Sequence, residues 1–81
     1  MNITHRPIST IAQEITKSWK TINYAALPYL NAMYELKSIN DKYGADSGKS
    51  IVLYFLSNAT TWRGSDARRI KQELRHIIKT G

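Results

Sequence analysis

The sequence predicts an all-α fold, a small four-helix bundle that forms a single domain over residues 1–81. Apolar residues recur at helical spacing near both ends of the chain, and a continuous apolar run lies between them at residues 51–56. A chain of 81 residues with 42% hydrophobic residues can build one core, although a small one. It contains no cysteine, so disulfides and thiolate metal ligands do not stabilise it.

The first helix is predicted over residues 7–20, after a flexible N-terminus at residues 1–6. Pro7 suits the first helical position, because the N–H that proline lacks would be unpaired there. Thr10 and Gln13 form a competing capping-box start. The apolar residues of this segment repeat along one helical face: Ile8, Ile11, Ala12, Ile15 and Trp19.

A second helix is predicted from about residue 24 to residue 37. Pro28 must lie in its first turn, because a proline deeper in the helix removes a hydrogen bond and clashes with the preceding turn. Residues 38–48 are rich in Asn, Asp, Gly and Ser and predict a loop, in which Gly44 supplies the left-handed residue of a turn. The apolar stripe of the second helix comprises Tyr29, Leu30, Met33 and Leu36.

Residues 50–59 have the composition of a strand and no useful periodicity. A lone strand would have no partner, whereas a helix that is apolar on all sides can form the buried centre of a bundle, so a third helix is predicted. A turn at residues 60–64 follows, and Ser65 is predicted to cap a last helix that runs to about residue 79. The expected core comprises Ile11, Ile15, Trp19, Leu30, Met33, Leu53, Leu56, Ile70, Leu74 and Ile77.

The last helix separates an apolar face from a basic one. Residues 63–81 hold six of the twelve Lys and Arg residues and two of the six acids, and therefore +4 of the net charge of +6. At 100° per residue, one face carries Ala67, Ile70, Leu74, Ile77 and Ile78. The adjacent flank carries Arg68, Lys71, Arg75 and Lys79, with Arg69 and His76 on the far side.

The basic balance suggests an acidic partner. A sequence pI near 9.8 is typical of proteins that bind nucleic acid, anionic lipid or an acidic protein surface. The alternative is that the positive charge only keeps a small protein in solution. The longest apolar run has six residues, against the ~20 that a membrane-spanning helix needs. We expect a cytoplasmic protein, and the sequence does not predict its oligomeric state.

The candidate residues for binding a partner or nucleic acid are Trp62, Arg63, Arg68, Arg69, Lys71, Arg75 and Lys79. Trp and Arg dominate interface hot spots, although Trp62 is better explained as part of the core, with Arg63 covering it. The third and fourth helices with their turn resemble a helix-turn-helix, but a turn of about five residues is longer than the usual three or four.

A phosphate loop is not predicted. Between Gly44 and the tripeptide at residues 48–50 lie three residues, one fewer than the Walker A motif has, and no strand precedes them. Residues 44–50 are better explained as a loop and helix cap, with Asp46, Ser47 or Ser50 as the capping residue.

Neither a metal site nor a catalytic site is expected. The acids are scattered and match no calcium-loop spacing, and His5 and His76 have no carboxylate or cysteine at ligand spacing. No nucleophile is paired with a base. The sequence therefore predicts a protein that is not an enzyme, with no catalytic residue, metal or cofactor.

Four segments together resemble a group of short bacteriophage and prophage proteins. They are IAQEI at 11–15, PYLNAM at 28–33, YGADSG at 43–48 and YFLSNATTWRG at 54–64. The resemblance implies a non-enzymatic phage or mobile-element protein that binds and inhibits a host complex, such as an anti-CRISPR protein acting on a CRISPR-Cas nuclease in the bacterial cytoplasm. The implied partner is a host protein or ribonucleoprotein with an acidic surface, since a basic protein does not mimic DNA. The alternative is a small basic nucleic-acid-binding protein that uses its C-terminal helix.

Overall fold

The computed structural model describes residues 5–80 and shows a mostly helical domain with four α-helices. This confirms the helical prediction, but the fold is not strictly all-α, because the predicted loop at 38–48 contains a two-stranded sheet. A 3₁₀ turn at Tyr24–Ala26 leads directly into the second helix. The elements are α1 (Ile8–Ser18), α2 (Leu27–Met33), β1 (Lys42–Tyr43), β2 (Asp46–Ser47), α3 (Gly48–Ser57) and α4 (Ser65–Thr80).

The start of α1 is fastened to the segment that follows α2. Pro7 precedes the helix rather than opening it. The free N–H groups of Ile8 and Ser9 donate to the carbonyl oxygens of Lys37 and Leu36, at 3.0 and 2.7 Å. These bonds satisfy donors that the first turn of a helix leaves unpaired. Residues 1–4, most of the predicted flexible N-terminus, lie outside the described residues.

Helix α2 is shorter than the predicted 24–37. Pro28 lies in its first turn, as predicted. The helix ends early because the next N–H groups make tighter turns, with Leu36 donating to Met33 at 3.1 Å. The Asp41 carboxylate then accepts from the N–H groups of Lys37 and Ser38. The chain therefore turns back toward α1 instead of continuing the helix.

The hairpin turns through Gly44 and Ala45, with Lys42 paired to Ser47 and Tyr43 to Asp46. Gly44 has a φ of +63°, which confirms the predicted left-handed glycine and fits a type II′ turn. The Ser47 hydroxyl accepts from the N–H of Ser50 at 3.1 Å and caps α3. Residues 44–50 are therefore a turn and a helix cap.

Helix α3 is half-exposed rather than central. Its inward face buries Ile51, Val52 and Phe55. Most of the predicted core is buried as well, but Leu53 is 44% exposed and Leu56 is only half-buried. The prediction was wrong for Leu53, because α3 packs on α2 and α4 through one face while its opposite face meets solvent.

An aromatic cluster joins the residue that ends α1 to α3 and to the segment before α4. The rings of Trp19 and Trp62 stack with centroids 5.6 Å apart, and both meet Phe55 edge-on. Burial of Trp62 to 3% exposure confirms the core interpretation of this residue.

Helix α4 packs its predicted apolar face onto the core and buries Ala67, Ile70, Leu74 and Ile77. Ser65 is its first residue and not its cap, because the carbonyl oxygen of Gly64 already accepts from Arg68 at 3.0 Å. Within residues 5–80 no helix has the length and apolar character that crossing a bilayer requires.

Candidate anion-binding face of the last helix

Both acids of α4, Asp66 and Glu73, form ion pairs on the side of the helix that faces the start of the chain. Arg6 donates two hydrogen bonds to Glu73, at 2.8 and 2.9 Å, and its guanidinium lies 2.9 Å from Glu14. Arg69 pairs with Glu14 and, at 3.6 Å, with Asp66. These contacts form one ion-pair cluster that ties α1 and the N-terminal segment to α4.

The ion-pair cluster shifts the pKa values of its members. Hydrogen bonds from Arg69 and then Arg6 hold the pKa of the Glu14 carboxyl below its ordinary value. The hydrogen bonds with Glu73 and Glu14 raise the pKa of Arg6, against some desolvation. Arg69, a candidate binding residue from the sequence, is therefore paired within the fold.

Five cations lie outside this cluster, and we call them the basic face: Arg63, Arg68, Lys71, Arg75 and Lys79. Within residues 5–80 none of them makes an ion pair with a carboxylate. All are exposed except Lys71, which is half-buried. The structure thus brings five of the seven predicted site residues to one side of α4, with Trp62 buried beneath the first of them. Arg69 lines a depression with Arg75 and Lys79 but is paired with Glu14 and Asp66.

Within residues 5–80, Lys71 is the one cation of the basic face whose side chain contacts the buried Trp62. Its Nζ donates to the carbonyl oxygen of Trp62 at 2.7 Å and lies 5.8 Å from the centre of the Trp62 ring. Desolvation, together with the nearby positive charges of Arg75 and Arg63, lowers the pKa of Lys71. The sequence reasoning missed this contact because residues nine apart share no local pattern.

The basic face contains a pocket of about 290 Å³ at the start of α4. Its lining includes no carboxylate and consists of Trp62, Arg63, Gly64, Ala67, Arg68, Lys71 and Arg75. A second depression of about 540 Å³ lies further along the helix and includes Glu73 beside its cations. The first pocket is therefore the more purely cationic of the two.

The connection between α3 and α4 is longer than the turn of a helix-turn-helix motif. Seven residues, 58–64, separate Ser57 from Ser65. A helix-turn-helix has three or four there. The basic face is thus a feature of α4 and its preceding segment rather than of a paired motif.

A second surface carries no charge. Residues 21–34 and 50–62 contain no Asp, Glu, Lys or Arg. Helices α2 and α3, which belong to these segments, pack against each other. The exposed and half-buried aromatic and aliphatic side chains of this pair and the 3₁₀ turn form a surface that we call the neutral face: Tyr24, Leu27, Tyr29, Leu53 and Tyr54. Tyr24 is 89% and Tyr54 53% exposed, and the ring of Tyr54 lies 5.4 Å from that of half-buried Tyr29.

Within the part of the chain that the structure describes, no group of three or more His, Cys, Asp or Glu side chains is arranged to hold a metal ion. His5 and His76 lie edge to face with ring centres 5.7 Å apart, and His5 Nε2 lies 2.9 Å from the Thr80 hydroxyl.

Comparisons of the chain with protein-family models, with curated proteins and with solved structures give no significant match.

Proposed function

We propose that this chain is a non-enzymatic binding protein whose basic face contacts the phosphate backbone of a nucleic acid. The observation that carries the proposal is the separation of charge on α4. On one side of the helix, Glu73 pairs with Arg6 and Asp66 pairs with Arg69. On the other side, the five cations of the basic face have no carboxylate partner within residues 5–80. Unpaired like charges on one face repel each other, and a polyanion offsets that repulsion.

The spacing of the cations favours a phosphate backbone over an isolated acidic group. Arg68, Arg75 and Lys79 lie on one row of α4 that spans about 16 Å, since a helix rises about 1.5 Å per residue. Successive phosphates of one strand are about 3.4 Å apart along the helix axis, so the row reaches several of them. Arginine also matches phosphate oxygens with its planar fork of donors.

The burial of Trp62 favours binding without sequence preference. A nucleic-acid base stacks only on an exposed aromatic face, and Trp62 instead stacks on Trp19 inside the core. Contacts to phosphates orient a protein on nucleic acid but carry no sequence information. We therefore expect similar affinity for oligonucleotides of different sequence.

The test is fluorescence anisotropy with labelled duplex DNA and RNA over a range of salt concentrations. About four phosphate contacts give a slope of roughly −3 to −4 in log K against log salt on duplex DNA. Arg68→Glu with Arg75→Glu should weaken binding by about 100-fold or more while leaving thermal stability nearly unchanged, since both side chains are exposed.

The matched control is Lys42→Glu with Lys49→Glu, which changes the net charge equally at two exposed lysines near the hairpin. It should weaken binding far less than the change on α4. Equal loss in both double variants would mean that only net charge matters, and the basic face would not be the binding surface.

The neutral face favours a second candidate, the inhibitor of a host complex that the resemblance to phage proteins implies. Exposed uncharged aromatic residues are typical of protein-binding surfaces. A host ribonucleoprotein, such as a CRISPR-Cas nuclease, offers both phosphates and protein to the two faces. Affinity purification from a bacterial lysate, with and without nuclease treatment, separates the candidates. Capture of a protein complex that survives the nuclease supports the inhibitor, and loss of all capture supports nucleic-acid binding alone.

A further inference from the structure

We propose that the pocket at the start of α4 is a binding site for a single phosphate group, which is held between Arg63, Lys71 and Arg75. We call this binding site the seat. The proposal rests on the proposed function and deepens it, because it names the point on the basic face where one phosphate is held specifically. Arg68 also lines this pocket, whereas Lys79 lies outside it and would attract phosphates only through its charge.

The first argument is that Lys71 is held in place before any ligand arrives. The Trp62 carbonyl oxygen accepts one of the three protons of its ammonium group at 2.7 Å, and the Trp62 ring lies beside it. Trp62 is itself fixed by its stack on Trp19. Two donors of Lys71 therefore remain available at a defined position, and little side-chain freedom is lost when they bind.

The second argument is the charge around Lys71. Arg63 and Arg75 line the same pocket and lie close enough to disfavour the charged form of Lys71. No carboxylate lines the pocket, and the acids of α4 are paired elsewhere. A phosphate between the three cations relieves this repulsion, and the two arginine forks can each donate two parallel bonds to its oxygens.

The third argument is access. Gly64 and Ala67 have the smallest side chains in the lining, and Gly64 is exposed. Gly64 has a φ of +111° and open space where a Cβ would stand. A tetrahedral anion can therefore approach the first turn of α4, where backbone N–H groups lack partners within the helix. A bulkier residue at position 64 would be strained and would narrow the approach.

The experiment titrates isotope-labelled protein with inorganic phosphate and with pyrophosphate, against chloride at equal ionic strength. We expect saturable shifts of backbone amide signals within residues 62–75, centred on Gly64, Ala67 and Lys71. Lys71→Met keeps the aliphatic stem on Trp62 and should weaken phosphate binding by about 10-fold or more, as loss of a charged hydrogen bond does. Its matched control is Lys79→Met, on the same face but outside the pocket, which should change the affinity by less than about 2-fold.

Arg63→Gln is the second variant, because it tests the pocket without disturbing the contact between Lys71 and Trp62. Equal effects of Lys71→Met and Lys79→Met, or shifts spread evenly over α4, would show diffuse attraction and overturn the seat. Oligonucleotides with and without a 5′-phosphate distinguish the source of the phosphate. A preference for the phosphorylated end indicates a terminal phosphate, and equal affinity indicates the backbone.

Different experimental results would contradict the seat and the proposed function. If duplex DNA binds with the expected salt slope while phosphate and pyrophosphate give no saturable shift, the seat is wrong and the proposed function stands. If phosphate binds and Lys71→Met removes it, but no nucleic acid binds, the proposed function is wrong and the seat stands as a small-anion site.

Discussion

Glu14 decides which arginines of α4 remain available to a partner. Its carboxylate contacts both Arg69 and Arg6, and Arg6 also holds Glu73. One acid on α1 therefore removes Arg69 from the set of free cations, whereas Glu73 of α4 holds Arg6 and the N-terminal segment against α4. From sequence, Arg69 and Arg68 are two adjacent arginines on one helix. Helical periodicity places them on different sides of α4, and the position of α1 then brings Glu14 to Arg69.

Stability should depend on pH through Glu14. Its pKa is lowered in the folded protein, so its contribution is present above its unfolded pKa of about 4.3 and is lost as pH falls through the folded value. Glu14→Gln should therefore cost up to about 1 kcal/mol at pH 7, a modest amount because the side chain is one-third exposed to screening solvent. The difference from wild type should shrink at about pH 3, measured by thermal unfolding.

The control for Glu14 is Glu35→Gln, at an exposed glutamate without an ion pair in the described residues. It should change stability little at either pH. A Glu14→Gln deficit that is the same at pH 7 and pH 3 would show that the side chain acts by packing and not by charge.

Burial was predictable from sequence where apolar residues alternate with polar ones. Ile11, Ile15, Ile70 and Leu74 stand out from polar neighbours at helical spacing and are buried as predicted. Leu53 lies in an unbroken apolar run, where periodicity does not indicate which side faces inward. Its exposure depends on where α2 and α4 lie, which is not encoded locally.

At the scale of elements, the hairpin between α2 and α3 is paired by hydrogen bonds that no strand pattern in the sequence predicts. The strands are two residues each, and their sequences, Lys42–Tyr43 and Asp46–Ser47, carry no strand pattern. The turn at Gly44 was predictable from residue type, but the pairing was not. The hairpin returns the chain so that Gly48 can donate its N–H to the backbone carbonyl oxygen of Asp41 at 2.7 Å.

Gly48 should be the least replaceable glycine of this region. A Cβ at this position would lie 2.9 Å from backbone atoms of Ile39 and Ser38, so the backbone must move to admit a methyl group. Gly48→Ala should cost about 1–3 kcal/mol, as overpacking does, measured by urea unfolding. The neighbouring Lys49→Ala, at an exposed position, is the control and should cost less than about 0.5 kcal/mol. A Gly48→Ala variant as stable as the control would contradict this close approach.

At the scale of the whole molecule, the basic face and the neutral face belong to different elements. The cations of the basic face lie on α4 and the segment before it, whereas the neutral face lies on the 3₁₀ turn, α2 and α3. The basic stripe of α4 was predictable because helical periodicity places its residues on one side. The neutral face was not, because the two charge-free segments are far apart in sequence and meet only in the fold.

If the two faces act independently, each can be removed without the other. Tyr24→Glu with Tyr54→Glu places two acids on the neutral face, at side chains that are mostly exposed, so the fold should persist with only a modest loss of stability. Its effect on nucleic-acid affinity should stay within a few-fold at physiological salt, where charges farther apart than about 8 Å are largely screened. In contrast, capture of any nuclease-resistant protein complex should be lost.

The decisive comparison combines this change with Arg68→Glu and Arg75→Glu in a double-mutant cycle. Independent faces predict that the free-energy changes for nucleic-acid binding add to within about 0.5 kcal/mol. Anisotropy gives the affinity, and thermal unfolding of each variant shows whether the fold persists. If the neutral-face variant loses nucleic-acid binding as completely as the basic-face variant while remaining folded, the two surfaces form one site. The partner would then have to contact α3 and α4 together, which favours a ribonucleoprotein over free nucleic acid.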